Sequence, residues 1–130
     1  MASMATLQTD PGMSPLKVLV VDDDPDSAES LAFCLQVEGR SVCYATSGEE
    51  ALRLAETFAP DFALIDIFMP RVDGHALALR LRERFGEGIT VVAVTGALKS
   101  VALDHFDFHL MKPIHFPQLE TLLGQPRCRA

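Results

Sequence analysis

Four places in this chain hold residues that could do chemistry. The run "VLVVDDDPDS", Val18 to Ser27, drives an apolar segment into Asp22, Asp23 and Asp24. "DFALID" ends on Asp66, "ITVVAVT" ends on Thr95 with Gly96 next, and "FHLM" leads into Lys112 and Pro113. Converging carboxylates cannot all stay ionised without a cation. Hard oxygen donors completed by water suit Mg²⁺. An ammonium and a hydroxyl beside them suit the oxygens of a phosphoryl group. A carboxylate in that company can be a nucleophile and form an acyl phosphate. Gly96 after Thr95 leaves room for that group. These residue types point to phosphoryl transfer onto a carboxylate.

Something must bring the four places together. Asp22, Asp66 and Thr95 each close an apolar, β-branched run, and Lys112 follows one. "KVLVV", "SVCYA", "DFALID", "ITVVAVT" and "FHLM" read as strands; "KVLVV" is an almost wholly apolar run that suits burial on both faces, "DFALID" is again apolar until its final Asp66, and "ITVVAVT" is the most strand-like. Ala28, Leu31, Ala32 and Leu35 recur at helical spacing, and Gly39 ends that helix. "TSGEEALRLAETF" opens with Ser47 and places Glu50 three residues on, a capping-box pattern, with Ala51, Ala55 and Phe58 on one face. "IFMPRVDG" is a loop by its Pro and Gly. "HALALRLRERF" turns Leu77, Ala78, Leu81 and Phe85 inward and leaves Arg80, Arg82 and Arg84 as a solvated face. "GALKSVALDHFD" is a short, weak helix, and "FPQLETLLG" is a final one. Five alternations predict an α/β fold: a parallel sheet with helices on both faces and right-handed crossovers. The functional crevice of such sheets lies at the carboxyl ends of the strands. Asp22, Asp66, Thr95 and Lys112 all fall at that edge.

Composition narrows the function classes. A chain of 130 residues with 48% hydrophobic and 22% charged residues suits one globular domain. Residues 1–15 read as a flexible lead, 16–124 as the domain and 125–130 as a tail. The net charge of −7 argues against a nucleic-acid surface and is compatible with a cation site. No apolar run approaches the roughly 20 residues that span a bilayer. Cys34, Cys43 and Cys128 make no paired framework and no secretory signal precedes them, so a reducing, cytoplasmic setting is expected. Cys34 and Cys43 read as small core fillers. His75, His105 and His115 show no metal spacing and read as surface or packing residues.

The ordered set "VLVVDDDP", "ATSGEEAL", "DFALIDIFMPRVDG", "VVAVTG" and "HLMKP" closely resembles the CheY-like receiver domain of two-component response regulators, over roughly residues 16 to 124. The resemblance implies a flavodoxin-like five-stranded sheet of order 2-1-3-4-5. It makes Asp66 the acceptor of phosphate from a histidine kinase or histidine phosphotransfer protein. It assigns Mg²⁺ to Asp22, Asp23, Asp66 and the backbone carbonyl of Phe68. It makes Thr95 the switch hydroxyl and Lys112 the phosphate-contacting ammonium, with a cis bond between Lys112 and Pro113. The output is an unidentified downstream protein, with neither nucleic acid nor membrane as partner. The domain is expected to be no enzyme beyond slow loss of its own phosphate. Asp24 before Pro25 reads as a helix N-cap instead of a metal ligand.

The sequence departs from that family at three points. His109 stands where an aromatic residue usually follows the switch threonine, and histidine titrates near neutral pH. The interval from Thr95 to Lys112 is short, so the fourth helix should be abbreviated and partner binding moved to another face, with helix one the candidate. The ending "FHLMKP" is similar to receivers attached to hybrid histidine kinases. Phe68 is apolar where polar side chains often assist water attack, so phosphate should leave Asp66 slowly. Two other functions compete. A phosphorylation-independent adaptor would keep the fold and lose the chemistry. An aspartyl-nucleophile phosphatase would use Asp22 as nucleophile and Asp24 as acid–base, but only Asp104 and Asp107 remain to supply its late acidic pair. An EF-hand reading of "DDDPDS" fails, because its sixth and twelfth positions are Ser27 and Phe33, not Gly and Glu.

Overall fold

The computed structural model describes residues 16–69, 72–96 and 105–124. Five strands form one sheet: β1 (Lys17–Val21), β2 (Ser41–Ala45), β3 (Phe62–Asp66), β4 (Thr90–Thr95) and β5 (Phe108–Met111). Their spatial order is β2-β1-β3-β4-β5, and every pairing is parallel. This is the expected 2-1-3-4-5 sheet. Four helices are described: α1 (Pro25–Val37), α2 (Gly48–Phe58), α3 (Gly74–Phe85) and α4 (Phe116–Leu123). The expected short helix after Thr95 falls on 97–104, outside the described residues.

Strand alternation sorts the core into two layers. Leu19, Val21, Ala63, Ile65 and Val91 face Ala51 and Ala55 of α2 and Leu77, Ala78 and Leu81 of α3. Val18, Val20, Leu64, Val92, Val94 and Leu110 face Ala28 and Leu35 of α1 and Leu119, Leu122 and Leu123 of α4. The central strands are buried on both sides because both sides carry helices. That explains why β1, β3 and β4 read as continuous apolar runs instead of alternating ones.

Helix starts follow local chemistry. Asp24 caps α1: its Oδ1 accepts from Asp26 N at 3.2 Å and its Oδ2 accepts from Ser27 Oγ at 2.8 Å. Ser47 caps α2 by accepting from Glu50 N at 3.1 Å, while Glu50 accepts from Thr46 N, one residue short of the reciprocal bond of a standard capping box. The loop after β3 contains a two-residue hairpin, Phe68–Met69 against Val72–Asp73, where only a loop was expected. It delivers the chain to Gly74, where a Cβ would lie 2.9 Å from Ile67 Cα. Only glycine lets α3 start this close to the segment that follows Asp66.

Two further expectations fail. Cys34 is exposed on α1, because its position on the helix turns away from the Ala28–Ala32–Leu35 face, whereas Cys43 packs half-buried against the core. Arg82 is not part of a solvated face. Its guanidinium folds under the end of α3 and donates to Gly86 O and Ile89 O, both at 2.8 Å, and to Asp107 Oδ2 at 2.6 Å. Arg84 pairs with Glu56 in the open, as a solvated residue would. His75 packs edge-on against Phe106.

Candidate functional site

The carboxyl edge of the sheet gathers the chemistry. Asp22 follows β1 and is held there by its N–H on Ala45 O at 3.1 Å. Asp66 is the last residue of β3, and Ile67 N on Val94 O keeps the chain in register just beyond it. Thr95 closes β4, and Lys112 follows β5 with its N–H on Thr95 O at 2.8 Å. The Lys112–Pro113 bond is cis. Parallel pairing with helices between strands leaves these ends side by side, although Asp22 and Lys112 are 90 residues apart in sequence.

Asp22, Asp23 and Asp66 can each present a carboxylate oxygen within 4.8 Å of the others. Asp22 and Asp66 are buried, and so is Thr95. Lys112 Nζ donates to Asp66 Oδ2 at 2.9 Å and lies 3.8 Å from Asp22 Oδ2. Asp22 Oδ1 accepts from Asp24 N at 3.0 Å, which aims the carboxylate back toward the strand ends. Burial pushes the Asp22 carboxyl above its ordinary value. The Asp24 N–H and Lys112 oppose that, while Asp66 and Asp23 add to it. For Lys112 burial pulls the ammonium down, but the hydrogen bond and charge of Asp66, with Asp22 and Asp23 behind, outweigh it and hold the pKa above the ordinary lysine value. One ammonium thus serves three carboxylates.

That imbalance is the test for a metal. Three carboxylates crowd one edge, and their oxygens are the hard donors a divalent cation takes. Phe68 begins the hairpin two residues beyond Asp66, where a backbone carbonyl could join the set. Asp24 stands apart from it: exposed, with its carboxylate engaged in its own helix turn. The acid–base role that a phosphatase would need from Asp24 has no support in that geometry. Gly96 is not a steric necessity, since a Cβ there would meet only Lys112 Cδ, at 3.9 Å.

A cavity of about 350 Å³ opens beside Asp22, Asp66 and Lys112. Its far wall is α1, through Ser27, Ser30, Leu31 and Cys34, and the segment after Lys112, through Ile114 and Phe116. Residues 27, 30, 31 and 34 form a helical stripe beside the core face, and their spacing is the sequence signal for this wall. His109 lies exposed on β5, paired in register with Ala93.

Known proteins share this fold. The family described as the response regulator receiver domain matches residues 18–123. An uncharacterized 14.6 kDa protein of Leptolyngbya boryana is 34% identical, over 87% of this chain and 91% of its own length. Response regulator MprA of Mycolicibacterium vanbaalenii is 36% identical over 87% of this chain and 49% of its own, so the chain spans about half of that relative. Among solved structures, a CheY-like receiver domain from Methylobacillus flagellatus superposes with a TM-score of 0.76 at 34% identity, covering 85% of this chain and 97% of that one. The Thermotoga maritima regulator TrrA, solved in complex with Mg(2+)-BeF, gives 0.74 at 28%, covering 83% and 96%. TrrA has also been solved in complex with the histidine kinase ThkA, and that structure gives 0.72 at 29%, covering 83% and 95%.

Proposed function

The chain belongs to the family of response regulator receiver domains, and on that premise we propose that it takes a phosphoryl group on Asp66 and signals by changing shape. The observation that carries the reading is the Lys112–Asp66 contact of 2.9 Å, set beside Asp22 and Asp23 at the mouth of a cavity. An acceptor needs a nucleophilic carboxylate, a fixed cation for the incoming oxygens and open space in front.

In the proposed reaction the Asp66 carboxylate attacks phosphorus. The new P–O bond forms as the P–N bond to the donor imidazole breaks, and the imidazole leaves with its electron pair. Lys112, protonated well above neutral pH, moves its charge from the carboxylate to the phosphoryl oxygens. Asp22, Asp23 and Asp66, with the Phe68 carbonyl, would hold Mg²⁺. When bound, the ion supplies positive charge opposite those same oxygens. Thr95 then donates its hydroxyl to a phosphoryl oxygen, and His109 on the neighbouring strand follows it as the switch. The domain turns over no separate substrate and loses its own phosphate slowly.

The donor is a histidine kinase or phosphotransfer protein, the kind of partner TrrA has in its complex. It would approach over α1, where Phe33 and Val37 stand 65% and 67% exposed near the cavity wall. Such an apolar helix face, next to the cavity that opens beside Asp66, suits a helical partner.

Incubation with acetyl phosphate and Mg²⁺, followed by mapping of the modified residue, tests the reading. Label on Asp66, absent in Asp66→Ala, is expected. Label on Asp22 would favour the phosphatase. A folded protein that takes neither phosphate nor beryllofluoride would favour the adaptor.

A further inference from the structure

Lys112 reaches Asp66 only if β5 sits in the correct register, and β5 has little to hold it there. Among the described residues it is an edge strand, bonded to β4 alone. Only Leu110 of its four residues is buried: Phe108 and His109 are exposed and Met111 is half-buried. Register is specified weakly where the buried pattern is thin. A slip of one residue would carry Lys112 about 3.3 Å along the strand, more than the length of its bond to Asp66.

The entry to β5 carries a device that the phosphoryl chemistry does not use. Asp107 N donates to Val91 O at 2.7 Å, the first bond between this segment and β4. Val91 N points the same way and meets no strand carbonyl among the described residues, where the pairing with β4 begins at Asp107. The Asp107 carboxylate supplies the acceptor instead: Oδ2 takes Val91 N at 2.8 Å. The same oxygen takes Arg82 Nη2 at 2.6 Å, and Arg82 Nη1 holds Gly86 O and Ile89 O at the end of α3. Both side chains are largely buried, with exposures of 24% and 21%, and Val91 is fully buried. Losing the carboxylate would leave a buried N–H without its acceptor and the guanidinium without its anionic partner.

We propose that Arg82 and Asp107 are positioning residues for Lys112: the pair pins the start of β5 to α3 and β4, and so sets the register that delivers the ammonium to Asp66. The proposal rests on the reading of Asp66 as phosphoacceptor. It concerns residues that touch neither the phosphoryl group nor the metal donors.

The test compares Asp107→Ala, Asp107→Asn and Arg82→Met with the wild type. Arg40→Met, which breaks the comparably buried Arg40–Glu120 pair, is the control. Two quantities are read at a temperature where each protein is folded by circular dichroism: the rate of phosphorylation by acetyl phosphate with Mg²⁺, and hydrogen exchange at the Lys112 amide. Asp107→Ala should lower the rate by about tenfold or more, since a misplacement of about 1 Å can cost about 10²-fold. It should also speed Lys112 exchange by about tenfold, because a loosened edge strand opens locally more often. Asp107→Asn keeps an acceptor for Val91 N and should recover most of both, whereas Arg40→Met should leave both near wild type. Wild-type rate and exchange in folded Asp107→Ala would overturn the proposal, as would an equal effect of Arg40→Met. If Asp107→Ala does not fold, Arg82→Met carries the same comparison. If the wild type is not labelled on Asp66, the acceptor reading fails, and Lys112 exchange alone decides whether the pair pins the strand.

Discussion

Asp22→Asn should make the metal-free protein more stable, which is an unusual result for a buried site residue. Asp22 faces Asp23 and Asp66 with oxygens no more than 4.8 Å apart. At an effective dielectric of about 20, each ionised pair repels by about 3 kcal/mol, or about 6–7 kcal/mol for the two. Lys112, 3.8 Å from Asp22, returns about 4 kcal/mol at the same dielectric. Its side chain is 39% exposed, so solvent discounts that return, and half-buried Asp23 is screened as well. Asparagine keeps an oxygen for the Asp24 N–H and loses the charge. A gain of about 1–2 kcal/mol follows, or about 4–8 °C in Tm for a domain of this size. The pH dependence has a definite sign. The folded pKa of Asp22 lies above its unfolded 3.8, so its contribution is fully present below that value and is lost as pH rises through the folded pKa. In EDTA, the advantage of Asp22→Asn should therefore open as pH climbs from acid toward neutral. Thermal denaturation in EDTA and in saturating Mg²⁺ checks this: Mg²⁺ should raise Tm for wild type and far less for Asp22→Asn. A variant that melts lower than wild type in EDTA at neutral pH, or gains as much from Mg²⁺, would refute the reasoning.

Four further outcomes are expected. Asp23→Asn should abolish Mg²⁺-dependent phosphorylation while Asp24→Asn leaves it nearly intact, because Asn caps a helix about as well as Asp; phosphorylation assays on the two variants decide. Burial, with Glu50 nearby, lifts the Cys43 thiol to about 11, so in a Cys128→Ser background at pH 8 an alkylating reagent should label exposed Cys34 and spare Cys43 by mass spectrometry. Gly74→Ala should cost about 1–3 kcal/mol by urea denaturation, because its Cβ would press the Ile67 backbone. Phe68→Asn should shorten the lifetime of phosphorylated Asp66 in a timed decay, and an unchanged lifetime would remove Phe68 from the account of slow loss.

Much of this molecule could be read without coordinates. The alternation of β-branched runs and amphipathic segments specified the parallel sheet, because each pattern buries well in only one geometry. The division of "DDDPD" also followed from local rules. Pro25 sets a first helical position, so Asp24 becomes its cap, as the Asp26 N and Ser27 Oγ bonds bear out. The four strand-end residues were legible because a parallel sheet brings all its carboxyl ends to one edge.

What lay beyond the sequence depends on side-chain direction and on partners distant in the chain. Arg82 looked like its neighbours Arg80 and Arg84 on a charged helix face. Only the fold shows that it turns under the helix end toward Asp107, 25 residues on, because Val91 there leaves an N–H that no strand carbonyl among the described residues reaches. Cys34 seemed a core filler by type, and one step around α1 instead put it in the wall of the cavity. Residue type and spacing determined which groups meet at the strand ends. The tertiary structure decided how they are held there, since a hydrogen bond between distant residues leaves no period in the sequence.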